Sequence, residues 1–170
     1  MAKLVLMPVA RASLKLLLRR AGLGDTERVA DVWLRSREAS VPAIPPAVHS
    51  EVEVRDWVAN VVLPTKEVWV VDVGEPVAMM VLDDGWIDQI YVDPSWMGRG
   101  IGSALLDAAK ARCPEGLDLW TFQANVDARR FYQRHGFVAA QMTDGDNEER
   151  APDVRYRWEG TAPIGMVEPE

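Results

Sequence analysis

The chain has 170 residues, enough for one domain with a single core and too few for two, and 48% of them are hydrophobic. Its net charge of −7 argues against a nucleic-acid backbone as the main partner, because such binding rests on a basic surface. One cysteine, Cys113, excludes an internal disulfide, and the cytoplasm is the default compartment.

No apolar run approaches the roughly eighteen residues that a membrane span needs. Lys3, the run Leu4 to Ala10 and Ala10-Arg11-Ala12 mimic a minimal signal peptide, but the run is short and holds Pro8. Residues 1–13 are therefore read as an extension ahead of the domain. Leu14 to Arg20 is leucine-rich and reads as a first strand. After Gly22-Leu23-Gly24, Asp25 or Thr26 caps a helix whose Val29, Val32 and Trp33 share one face, ending near Arg37.

Pro42, Pro45 and Pro46 make Val41 to His49 a loop. Ser50-Glu51-Val52-Glu53 has the form of a capping box, and Val54, Trp57, Val58, Val61 and Val62 follow at i, i+3, i+4, i+7 and i+8. An amphipathic helix stopped by Pro64 is the expectation. Glu67 to Val73, Val77 to Leu82 and Trp86 to Val92, joined at Gly74-Glu75 and Asp84-Gly85, predict a three-stranded antiparallel meander.

Asp93-Pro94 closes the third strand, and Gly98, Gly100 and Gly102 lead into Ile101, Ala104, Leu105, Ala108 and Ala109 at helical spacing. Glycines at a strand-to-helix turn let backbone N–H groups approach an anion at the positive end of the helix. The same residues would also suit a turn that packs a helix tightly on a strand. Gly-Lys-Ser/Thr is missing, which excludes a nucleoside-triphosphatase loop, and the spacing Gly98-x-Gly100-x-Gly102 differs from the Gly-x-Gly-x-x-Gly of dinucleotide folds.

Leu117 to Phe122 then reads as a strand, Asn125 as the cap of a helix bearing Ala128, Phe131, Tyr132 and His135, and Gly136 as its C-terminal stop. Phe137 to Met142 and Val154 to Trp158 form a last strand pair around the acidic loop Thr143 to Pro152. Asn125, Ala128 and Tyr132 fall on one helix face at i, i+3 and i+7, with a small residue between two polar ones. Taken alone, Asn125 is better explained by capping and Tyr132 by packing than by ligand binding.

Two stretches carry a family resemblance over residues 14–158. Met97-Gly98-Arg99-Gly100-Ile101-Gly102 resembles the Gln/Arg-x-x-Gly-x-Gly/Ala motif of the GCN5-related N-acetyltransferase (GNAT) family, with Met97 replacing the usual Gln or Arg. Asn125 to Phe137 meets every fixed position of the family pattern Asn-x-x-Ala-x-x-Phe-Tyr-x-x-x-Gly-Phe. The resemblance implies an α/β fold with a mixed, mostly antiparallel sheet, splayed between its two central parallel strands and flanked by about four helices. Residues 159–170 are then a tail.

The resemblance also implies transfer of an acetyl group from acetyl-coenzyme A to a primary amine, by direct attack in a ternary complex. Cofactor contacts are expected from the backbone of Ile90, Tyr91 and Val92, from Gly98, Arg99, Gly100, Ile101, Gly102 and Ser103 at the pyrophosphate, and from Asn125 and Ala128 at the pantetheine arm. Tyr132 resembles the acid that protonates the departing thiolate. An ammonium must lose a proton before attack, and Asp88, read as sharing the face of Ile90, is the first candidate base; Asp146, Glu148 and Glu149 are loop acids that reach the acceptor or are merely solvated. The first two helices and the loop between them would wall the acceptor site. Trp86 and Trp96 are the aromatic residues weighed for a pocket.

The sequence shows no Gly-x-Ser-x-Gly elbow and no His-Glu-x-x-His, and its histidines are only His49 and His135, so no metal is expected. No membrane partner is expected either. Family members often pair, which leaves a homodimer open. Acyl-coenzyme A binding without catalysis is the rival reading, against which Tyr132 stands.

Overall fold

The computed structural model describes residues 16–161. The expected extension 1–13 and most of the tail 159–170 lie outside them, as do positions 14 and 15 of the expected first strand. No described helix is long and apolar enough to cross a membrane.

Seven strands form one sheet: β1 (Leu17–Arg20), β2 (Glu67–Asp72), β3 (Pro76–Asp83), β4 (Trp86–Val92), β5 (Leu117–Phe122), β6 (Val138–Thr143) and β7 (Asp153–Trp158). Their spatial order is β1-β2-β3-β4-β5-β7-β6, and every neighbouring pair is antiparallel except β4–β5. The expected meander is therefore present. The last pair is also present, with β7 slotted between β5 and the edge strand β6.

Five α-helical segments accompany the sheet: α1 (Thr26–Ala39), α2 (Glu51–Trp57), α3 (Leu63–Thr65), α4 (Ile101–Arg112) and α5 (Val126–Arg134). The capping box forms, with Ser50 Oγ accepting from the Glu53 N–H at 3.3 Å and Glu53 Oε2 accepting from the Ser50 N–H at 2.7 Å. Pro64 does not stop this helix as expected. A π-helical stretch, Val58–Val62, joins α2 to α3, and the Leu63 N–H bonds Val58 O five residues back. Pro64 has no N–H to give and its ring would crowd an α-helical carbonyl at Asn60; the wider turn falls just ahead of it, and the chain continues helically to Thr65.

Each sheet face buries its own core. Leu105 and Leu106 of α4 and Tyr132 of α5 pack with Met80, Leu82 and Ile87, whereas Val29 and Val32 of α1 and Val58 and Val62 pack on Val68, Val70, Met79 and Val81. Alternation along β3 sends Met79 and Val81 to one face and Met80 and Leu82 to the other, so this strand is buried on both sides. Each such side chain contributes about 1.5–3 kcal/mol on burial.

The functional geometry begins between β4 and β5. They share a single register pair, Trp86 with Asp118, reinforced by the Asp118 N–H on Gly85 O at 2.9 Å, and then diverge. On its other side β4 is bulged: Leu82 faces Ile87 and Val81 faces Gln89, leaving Asp88 as the extra residue. A bulge bends its strand, and this one falls two residues past the last pairing with β5. The expected splay of the sheet results.

Candidate active site

The strand-to-helix turn after β4 is held from beneath. Asp93 is buried, accepts from the Ser95 N–H at 2.9 Å and pairs with Arg35 at 3.1 Å, which fixes the start of the turn. Gly98 and Gly100 sit at φ +72° and +78°, where an L-residue is strained, and a Cβ at either would meet nothing within 4 Å. Gly100 precedes α4 without a side-chain cap, and the bond from the Ala104 N–H to Gly100 O closes the first turn. The N–H groups of Ile101, Gly102 and Ser103 therefore have no partner within the helix. They form the positive end of a twelve-residue helix beside an open turn, which suits a pyrophosphate.

Gly102 has a second role. A Cβ there would lie 3.2 Å from Phe131 Cζ, so this glycine also lets α4 approach α5. The packing reading of the glycine turn holds at Gly102. Ser103 Oγ is 3.0 Å from His135 Nε2, whose ring is anchored through Nδ1 at 2.8 Å from Phe131 O. Arg99 is exposed and stacks on Trp96 at 4.6 Å, outside the wall of the cleft.

A cavity of about 620 Å3 opens from this turn along β4 and α5. Ile90, Tyr91, Val92, Gly98, Gly100, Ile101, Gly102, Ser103, Asn125, Ala128 and Tyr132 all line it, so the structure brings together every expected cofactor residue except Arg99. The Val92 carbonyl already accepts from Ser36 Oγ at 2.7 Å. The Tyr91 side chain turns toward α1 and meets Trp33 edge-on at 6.1 Å. Asn125 Oδ1 caps α5 by accepting from the Ala128 N–H at 3.2 Å, and its amide nitrogen bonds no described residue. Capping thus leaves its donor free for a ligand.

Tyr132 is buried among Phe131, Phe137 and Tyr156, with ring centroids 5.5 to 6.1 Å away. Its hydroxyl has no hydrogen-bond partner among the described residues, and Tyr132 is one of the residues lining the cavity. Burial, with a smaller contribution from the Tyr91 phenol, pushes its pKa well above the ordinary phenol range. At neutral pH the phenol is un-ionised.

A second cavity, of about 960 Å3, lies on the α1–α2 side. The two share Asp88, Gln89, Tyr91, Trp120, Thr121 and Phe122, so they meet through the opening between β4 and β5. Asp88 is not simply a neighbour of Ile90 on one strand face, as alternation suggests; the bulge makes it the unpaired residue, and it borders both cavities. The surrounding protein raises its pKa by desolvation, and Lys66 opposes that shift. Its side chain remains open to the cleft.

Trp33, Arg37, His49, Trp57 and Trp120 also line the second cavity, together with Asp146, Glu148 and Glu149 of the β6–β7 loop. Sequence reasoning missed Arg37, Gln89 and Trp120 as wall residues. Alternation could have placed Gln89 opposite the core face of β4, but no local pattern marks Arg37 or Trp120. Trp96 lines the first cavity, and Trp86 lines neither.

A glycine turn at a helix start, a parallel pair that splays and two cavities meeting between its strands agree with what the N-acetyltransferase resemblance implies. Residues 64–139 match the family model described as Acetyltransferase (GNAT) domain. The chain is 31% identical to Peptidyl-lysine N-acetyltransferase YjaB of Salmonella typhimurium over 134 residues, covering 76% of this chain and 88% of that protein. It is similar in fold to the solution structure of apo-form YjaB from Escherichia coli, with TM-score 0.70, 25% identity and coverage of 86% and 99%. A GCN5-related N-acetyltransferase from Rhodopseudomonas palustris, at 22% identity and TM-score 0.66 over 85% and 96%, shares the fold. The chain belongs to the GNAT family and is an N-acetyltransferase. The family's co-substrate is acetyl-coenzyme A.

Proposed function

We propose that this enzyme acetylates the ε-amine of a peptide lysine by direct attack, with Tyr132 as general acid and Asp88 as general base. One observation carries the reading. The two cavities meet through the sheet at Asp88, while Tyr132 borders only the side that holds the glycine turn.

Acetyl-coenzyme A supplies the thioester carbonyl and a thiol leaving group. The α4 N-terminus and the Gly98–Gly100 turn hold its pyrophosphate, and the free amide of Asn125 donates to its pantetheine arm. Backbone groups of β4 are left without a β5 partner past Trp86 and would be available to hold that arm and to supply an N–H to the carbonyl oxygen. The lysine enters from the α1–α2 side. Asp88, directly or through a water, takes its proton, and the un-ionised Tyr132 hydroxyl gives one to sulfur. Carboxylates outnumber cations in the acceptor wall: Glu53, Asp88, Asp146, Glu148, Glu149 and Asp153 face Arg37 and Lys66. Such a wall favours an ammonium over an anionic acceptor. The names of the YjaB relatives point the same way.

The test is free-thiol release with acetyl-coenzyme A and a panel of lysine peptides, free lysine, polyamines and peptides whose only amine is the N-terminus. Preference for the internal lysine is the expected result; turnover of the N-terminal amine alone refutes the acceptor assignment.

A further inference from the structure

Past the Trp86–Asp118 pair the two halves of the sheet separate, and the acceptor cavity lies between them. Arg37, near the end of α1, belongs to the first half. Its Nη2 donates to Glu149 Oε1 at 2.8 Å, 112 residues along the chain in the β6–β7 loop, and to Pro45 O at 3.3 Å in the loop between α1 and α2. The guanidinium also lies 5.0 Å over the Trp33 ring. One side chain thus ties together three segments that wall the same cavity.

Its burial separates this pair from its neighbour. Arg37 and Glu149 side chains are 10% and 16% exposed, against 53% and 72% for the adjacent His49–Glu148 pair. An exposed pair contributes little, whereas a dry one resists the loss of either partner because the other charge stays buried and uncompensated. Arg37 Nε is already buried without a partner, and Glu149 is the only carboxylate paired with Arg37 among the described residues. The loop that carries Glu149 is hydrogen-bonded within itself. The Asn147 amide braces it by donating to Ala151 O at 2.8 Å and Asp153 Oδ2 at 2.9 Å.

We propose that Arg37 and Glu149 form a clasp that holds the β6–β7 loop against α1, fixes the width of the acceptor cavity, and so determines which amines are accepted. This rests on the peptide-lysine reading. A peptide, whose backbone must cross the mouth beside the loop, depends on the clasp; a small diamine that enters the cavity whole does not. Arg37 touches no reacting atom and is a positioning residue.

Steady-state kinetics of Glu149→Ala and Glu149→Gln, with a lysine peptide and a small diamine as acceptors, test this. The expected result is a rise of about tenfold in peptide KM and a clearly smaller rise in diamine KM, from the one wall charge lost, with kcat and acetyl-coenzyme A affinity held within about twofold. The double variant Arg37→Gln/Glu149→Gln should be no worse than the poorer single variant, because the two act as a unit. Equal losses for both acceptors, a fall in kcat alone, a parallel loss of acetyl-coenzyme A affinity or no change in peptide KM each overturn the proposal. If Arg37→Gln fails to fold, the Glu149 variants carry the test. Hydrogen exchange in the β6–β7 loop separates this idea from the reading beneath it. Exchange should rise in Glu149→Ala with acetyl-coenzyme A alone present, and unchanged exchange refutes the clasp. Absence of peptide turnover by the unmodified enzyme instead refutes the peptide-lysine reading.

Discussion

Replacing Tyr132 by Phe isolates one oxygen. The ring is packed against Phe131, Phe137 and Tyr156 and keeps those contacts. The hydroxyl has no described protein partner, so its removal orphans no donor or acceptor, and stability should change by less than about 1 kcal/mol. What disappears is the proton for the departing thiolate. A positioned general acid contributes about 10²–10⁴ in rate, which is about 2.7–5.4 kcal/mol of barrier at 1.36 kcal/mol per decade. Free-thiol release at saturating acceptor measures kcat, calorimetric titration measures acetyl-coenzyme A affinity, and thermal unfolding checks the fold. The expected pattern is a kcat at least about a hundredfold lower, with affinity and melting temperature nearly unchanged. A kcat within about threefold of the parent refutes the acid role, and equal losses in kcat and affinity make Tyr132 a binding residue instead.

Asp88→Asn should lower kcat and remove the acidic limb of the pH–rate profile. Because desolvation raises the Asp88 pKa, activity in the parent should fall at a higher pH than for an ordinary carboxylate; an unchanged profile removes Asp88 as the base. The same raised pKa means that ionising Asp88 opposes folding as pH rises through it, so the Asn variant should be no less stable at neutral pH. Gly100→Val places a β-branched residue at φ +78°, costing about 1–2 kcal/mol of stability, and should abolish acetyl-coenzyme A binding by calorimetry. Arg19 bridges Asp25 at 2.8 Å and Asp72 at 2.6 Å and holds both carboxyls below the usual aspartate range. Their contribution is present above that range and lost as pH falls through the lowered values, so acid unfolding of Arg19→Met should begin less steeply than in the parent. Superimposable acid-unfolding curves would exclude the bridge as a source of stability.

Much of the fold is legible because its signals are local. The capping box at Ser50, the apolar spacing from Val54 to Val62 and the turns at Gly74 and Asp84 each constrain the chain within a few residues, and each forms. Pro64 misleads because proline excludes only an α-helical register, and a single π-helical stretch carries the chain past it. The glycine turn and the Asn125 helix are each contiguous in sequence, so part of the first cavity's lining falls within two local motifs, whereas Ser36, Ser40 and Trp120 on the same wall carry no such signal.

The acceptor side is different in kind. Asp88 escapes its alternation because a bulge is set by how β3 and β4 register, and no residue in β4 announces it. Arg37 and Glu149 stand 112 positions apart, and their meeting depends on α1, the proline loop and the β6–β7 loop all converging where two parallel strands part. The sequence by itself determined most of the elements, the glycine turn and the helix face that carries Asn125 and Tyr132, which depend on spacing along one segment. Only the tertiary structure decided how Asp88 is aimed, which carboxylates are dry and how wide the acceptor cavity is, because those depend on distances between segments that share no local pattern.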